Sequence, residues 1–146
     1  MGIGLNNKLG GNKMREIKFR GWQDNKMIYQ GANGVYPMKR FFLHLKDNVI
    51  LMQYIGVKDS KGTEIYDGDI VRVYTYIDED EPKFNEFTIH KVFWGGMKYP
   101  AFELFPNLGD DSNGFSSILC GDYFEALEVI GNIHETPELL TEAKNV

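Results

Sequence analysis

At 146 residues the chain has room for one domain, or two very small ones sharing a core, and can fold without metal or disulfide support. A formal charge of −5 works against non-specific duplex binding, which needs clustered Lys and Arg, and a single cysteine, Cys120, forbids an intrachain disulfide and fits a reducing cytoplasm. No apolar run approaches the roughly 20 residues of a membrane span, and no charged-then-apolar signal segment opens the chain, so no membrane partner is expected.

Residues 1–13 contain three Asn and four Gly with no amphipathic pattern, which predicts a disordered leader. Leu9-Gly10-Gly11 before Met14 suggests a ribosome-binding sequence in the coding strand, with Met14 as the true start; a flexible arm is the alternative. Without Lys8 and Lys13 the body has 14 basic against 21 acidic side chains, a charge of −7. From Arg15 to Trp22 the alternation predicts a half-buried strand, with Ile17 and Phe19 facing one way and Glu16, Lys18 and Arg20 the other. Gln23-Asp24-Asn25-Lys26 is turn chemistry, and Met27-Ile28-Tyr29 reads as the returning strand of a hairpin. A turn over Gly31 to Gly34 precedes a short segment at Val35 and Tyr36, and Met38 to Leu45 reads as either strand or short helix.

The pattern becomes more regular beyond Asp47-Asn48. Buried or half-buried strands are predicted over Val49 to Ile55, Ile70 to Tyr76, Phe87 to Trp94, Ala101 to Phe105 and Val129 to Ile133. Lys58 to Gly62, Asp67-Gly68-Asp69, the acidic stretch Asp78 to Pro82, Gly95-Gly96 and Pro106 to Ser117 separate them. A helical turn is expected near Tyr123 to Leu127, and a terminal helix over Pro137 to Ala143 with Thr136 as N-cap. Gly56, Gly62 and Gly68 fall where a tight connection excludes a Cβ, and Gly131 suggests a bulge. Seven or eight short strands suit a small barrel or two packed sheets. The expected division is the leader 1–13, a hairpin subdomain 14–47 and a barrel domain 48–146 ending in a short helix.

No motif commits the chain to a reaction. His44, His90 and His134 lack ligand spacing, no serine sits in G-x-S-x-G, and no glycine-rich loop ends in Lys-Ser or Lys-Thr. Cys120 reads as a small buried hydrophobe, and Glu64, Asp67 and Asp69 as a solvated turn in preference to a divalent-ion site. The expectation is therefore a non-enzyme without metal or cofactor. A candidate partner or nucleic-acid surface gathers Arg15, Lys18, Arg20, Trp22 and Tyr29, extended by Lys39, Arg40 and Phe41. Against it stands the ease with which Trp22 and Tyr29 become core. The run Asp78-Glu79-Asp80-Glu81 reads first as a solvated loop, second as a steering patch for a basic partner. An exposed strand edge would offer self-pairing.

Three segments together resemble the YopX family of phage and prophage proteins: MREIKFRGW over Met14 to Trp22 with KMIY over Lys26 to Tyr29, LMQYIGVKDSKGTEIYDGDIVRV over Leu51 to Val73, and EVIGNIHETPELL over Glu128 to Leu140. The resemblance implies a phage or prophage of low-GC Gram-positive bacteria, action in the host cytoplasm, and an SH3-like β-barrel or roll in the C-terminal part. Oligomeric assembly fits it, and it carries no catalytic residues onto this chain. The expected role is a non-enzymatic binding or protein-interaction module that self-associates or meets a host or phage protein. A single-stranded nucleic-acid binder is the alternative.

Overall fold

Among the described residues, apolar segments broken every few positions by Gly, Asp and Asn build eight short strands. The computed structural model describes residues 16–31, 38–74, 87–95, 101–106 and 127–143. The leader, Arg15, Val35-Tyr36, the acidic run, Cys120 and the turn expected at 123–126 lie outside those residues. In chain order the elements are β1 (Phe19–Gln23), β2 (Lys26–Tyr29), α1 (Met38–Leu43), β3 (Ile50–Lys58), β4 (Glu64–Tyr66), β5 (Asp69–Tyr74), β6 (Phe87–Trp94), β7 (Phe102–Phe105), β8 (Leu127–Asn132) and α2 (Glu138–Ala143). The molecule is mainly β. Its antiparallel strands form two curled sheets, ordered β2-β1-β3-β4 and β7-β6-β5-β8, that together make a half-barrel.

The hairpin of β1 and β2 turns through Asp24 and Asn25, both at positive φ, which short polar side chains tolerate best. Beyond it the sheet continues: β1 pairs with β3 from Phe19↔Gln53 to Trp22↔Ile50, across the boundary expected at Asp47-Asn48. Helix α1 covers the Phe19 and Gly21 face of this sheet. A Cβ on Gly21 would lie 2.8 Å from Val49 Cγ2 and 3.2 Å from Leu45 Cδ2, so glycine is required there for close approach.

Two expectations change here. Strand β1 begins at Phe19 and runs to Gln23, and the side expected to meet solvent does not: Arg20 is 2 % exposed, while Ile17, just before the strand, is 56 % exposed. A strand between two neighbours, with α1 over one face and the second sheet over the other, has no fully wet side. Secondly, β3 runs beyond Ile55 to Lys58, passing through Gly56 at φ 99°, with a register shift between Tyr54 and Lys58 where it meets β4. Strand β4, only three residues long, went unpredicted because turn residues flank it on both sides.

The core of the half-barrel packs Ile55, Ile65, Val71, Val73, Val92 and Leu127 between the sheets. The Asp67-Gly68 turn passes the chain from one sheet to the other. Gly68, at φ 86°, donates its N–H to Val92 and accepts from Ile133 N–H. Asp59, in the loop read as polar, is buried. Its Oδ1 accepts from Lys61 and Thr63 N–H at 2.9 and 2.8 Å and its Oδ2 from Val129 N–H at 2.9 Å, tying the β3–β4 loop to β8. Ser60 donates its hydroxyl to Leu127 O at 3.0 Å beside it.

At the C-terminal end Gly131 stands where a bulge was expected. Ile70 pairs with Gly131 and Val71 with Val129, leaving Ile130 as the extra residue. Thr136 behaves differently from the expected N-cap. Its hydroxyl turns back across the tight turn after β8, accepting from Asn132 N–H at 3.0 Å and donating to Asn132 O at 3.2 Å.

Candidate functional site

The structure divides the residues proposed for one basic aromatic surface among four places. Lys18 pairs with Glu64 and, at 3.2 Å, with Glu16, and its ammonium lies 4.9 Å from the Tyr54 ring centre. Trp22 stacks on His134, centroids 5.4 Å apart and planes 15° from parallel, which pins β1 to the turn after β8. Burial, then the Arg20 charge, lowers the His134 pKa. Lys39 and Arg40 are exposed on α1, on the opposite face of the sheet from Arg20. Arg20 and Tyr29 do come together, and they line a cleft of about 360 Å³ between β4 and β8.

The cleft is built on a buried ion pair. Arg20 Nη2 lies 2.8 Å from Asp69 Oδ1 and donates to Asp67 O at 3.2 Å, while Asp69 Oδ2 accepts from Tyr66 N–H at 2.8 Å. Both side chains are almost wholly buried, so Asp69 is not part of a solvated turn as its neighbours in sequence suggested. Burial pushes the Asp69 carboxyl up to about 6, against the opposing pull of the Arg20 guanidinium. The guanidinium sits 4.7 Å from the centre of the Tyr66 ring and 6.0 Å from that of Tyr29, with its Nε–H buried and without a hydrogen-bond partner. Burial likewise pushes the Tyr66 phenol well above its ordinary value, so it stays neutral. On the far wall, Asn132 Oδ1 accepts from His134 and Glu135 N–H at 3.0 and 2.8 Å.

A second surface lies on the α1 side. Leu43 is 74 % exposed, Phe42 and Leu51 are also exposed, and Phe42 meets Phe19 edge-on at 5.8 Å. Among the described residues no three or more His, Cys, Asp or Glu converge as a metal site. His90 is a core residue, its ring bonded to Pro106 O and Thr88 Oγ1. Of the residues that shape the cleft, sequence reasoning missed Asn132, and it saw Asp69 only as a turn residue. The available signal was Asp69 immediately before Ile70-Val71 and Val73-Tyr74, a position that places a carboxylate at the mouth of a buried strand.

Two curled four-stranded sheets, tied by a buried Arg–Asp pair beneath an open cleft, define a small β-rich half-barrel. The chain belongs to the YopX protein family, whose model matches residues 39–141. Among solved structures it is similar to the crystal structure of protein EF1440 from Enterococcus faecalis, with a TM-score of 0.50 and 24 % identity over 87 % of this chain and 99 % of that one. That likeness shows the fold alone. No curated protein matches the chain. No helix among the described residues is long and apolar enough to cross a membrane.

Proposed function

We propose that the chain is a non-enzymatic binding module of phage or prophage origin, with an SH3-like roll, that works in the host cytoplasm and self-associates through the face around α1. One observation carries this reading: Phe42 and Leu43 on α1 and Leu51 on β3 are exposed, and Lys39 and Arg40 are exposed on the same helix. Contiguous apolar side chains rimmed by charge mark protein contacts, and a chain of net charge −5 supplies the acidic counterpart to that basic rim from its own second copy. Light scattering after gel filtration of the full chain at about 100 μM is expected to show more than one copy per particle. Leu43→Glu should shift it to monomer with an unchanged Tm, since Leu43 makes little of the fold's own core. A wild-type monomer under those conditions overturns the reading.

A second reading, single-stranded nucleic-acid binding, is supported by the outer face of the β5-β6-β7 sheet in preference to the hairpin. There Arg72 lies 5.0 Å from the Phe87 ring centre, and Lys91 lies 5.8 and 5.9 Å from those of Phe93 and Phe105. Phe87 and Phe105 are exposed beside these cations, the arrangement on which bases stack. Fluorescence anisotropy with an oligothymidylate should then give salt-sensitive binding that Phe105→Ala and Lys91→Ala weaken. No binding at low salt removes this reading.

A further inference from the structure

We propose that the cleft between β4 and β8 binds a neutral hydroxylated ring, a sugar either free or as the ribose of a nucleoside, held by Arg20, Asp69 and Asn132 with Tyr29 against its C–H face. Charge selects against ions. Asp69 already has Arg20 at 2.8 Å and Glu64 has Lys18, so an anion would meet two carboxylates and a cation would meet a guanidinium. What remains is an alternation of acceptors and donors. The Asp69 carboxylate has acceptor sites beyond those taken by Tyr66 and Arg20. Asn132, with Oδ1 engaged by two backbone N–H groups, has its amide nitrogen left to donate. A hydroxyl both donates and accepts, so neighbouring hydroxyls on a ring answer this pattern where a hydrocarbon or a simple ion does not.

The groups are also held in place. Arg20 and Asp69 are 2 % and 1 % exposed and fixed by bonds to Asp67 and Tyr66, which leaves little rearrangement for binding to require. Tyr29, at the rim and 39 % exposed, presents an apolar ring that a sugar's C–H side can cover. The volume of about 360 Å³ is at the small end for a ligand site and suits one ring.

The test uses the full ¹⁵N-labelled chain titrated with glucose, N-acetylglucosamine, ribose and uridine, and with glucuronate and ribose 5-phosphate as charged counterparts. The side-chain resonances of Arg20 Nε–H and Asn132 are read directly. At least one neutral probe should shift both saturably, with Kd about millimolar, as expected for so few contacting atoms. Its affinity should fall about tenfold in Tyr29→Ala, with Tm unchanged, and fall for its charged counterpart. Uridine alone acting would assign a nucleoside, and a monosaccharide alone acting a free sugar. Silence of both resonances with every neutral probe overturns the proposal. So does tighter binding of a charged counterpart, or full affinity in Tyr29→Ala.

Discussion

Replacing Arg20 with Met is expected to destabilise the protein by about 3–5 kcal/mol at pH 7.5, the usual cost of stranding one partner of a buried ion pair. The loss should shrink as the pH is lowered toward 5. The reason lies in Asp69, whose carboxyl in the folded protein titrates at about 6, above its ordinary 3.8, because burial outweighs the attraction of Arg20. An acid with a raised folded-state pKa binds its proton more tightly when folded. Its contribution to stability is therefore fully present below about 3.8 and is lost as the pH rises through about 6, some 3 kcal/mol in all. Without Arg20 the carboxylate is disfavoured further, and protonation relieves the penalty. The double variant Arg20→Met with Asp69→Asn should recover most of the stability at pH 7.5, since no unpaired charge remains. Urea unfolding of the wild type and the two variants at pH 5 and 7.5 measures all of this. A loss below about 1 kcal/mol for Arg20→Met, or one independent of pH, would show that the pair does not join the sheets as described.

Gly131→Ala is expected to cost about 2–4 kcal/mol, at the upper end for overpacking, because the new methyl has nowhere to go. Gly131 lies on β8 beside the bulge, at a φ that any residue adopts, so backbone strain is not the issue. Its missing Cβ leaves room for the Thr136 hydroxyl, which a methyl would overlap outright, and for Leu139 Cδ1, which would sit 3.0 Å away. That hydroxyl accepts from Asn132 N–H, so moving it leaves a part-buried donor without its acceptor. The turn 133–137 and α2 would lift from the sheet together. Thr136→Gly should cost about 1–3 kcal/mol alone, through that lost bond, yet relieve part of the Gly131→Ala penalty in the double variant. Additive losses, read from denaturation midpoints, would place the crowding elsewhere.

These two sites show how differently structure is written into the chain. The strand Phe87–Trp94 was legible to the residue, because a run rich in aromatic and β-branched residues ends on the Gly95-Gly96 turn. The turns at Asp24-Asn25 and Asp67-Gly68, and the bulge beside Gly131, were legible because few residues tolerate those backbone shapes. The basic aromatic surface was legible as composition and misleading as geometry. Arg15 is outside the described residues, Lys18 and Trp22 have separate neighbours, and Tyr29 stays with Arg20. Arg20 alternates with Phe19 as expected but points at Asp69, forty-nine positions away.

By itself the sequence determined the mainly β character, most of the strands, the sharp turns and the family, since each depends on residues close together in the chain. Only the tertiary structure decided which face of β1 is dry, that β1 pairs with β3 across the expected boundary, and that Arg20, Asp69 and Asn132 share one cleft. Periodicity says which side chains lie on the same side of a strand. Which side meets water depends on what packs there, and that is set by distant residues whose pairing no local pattern records.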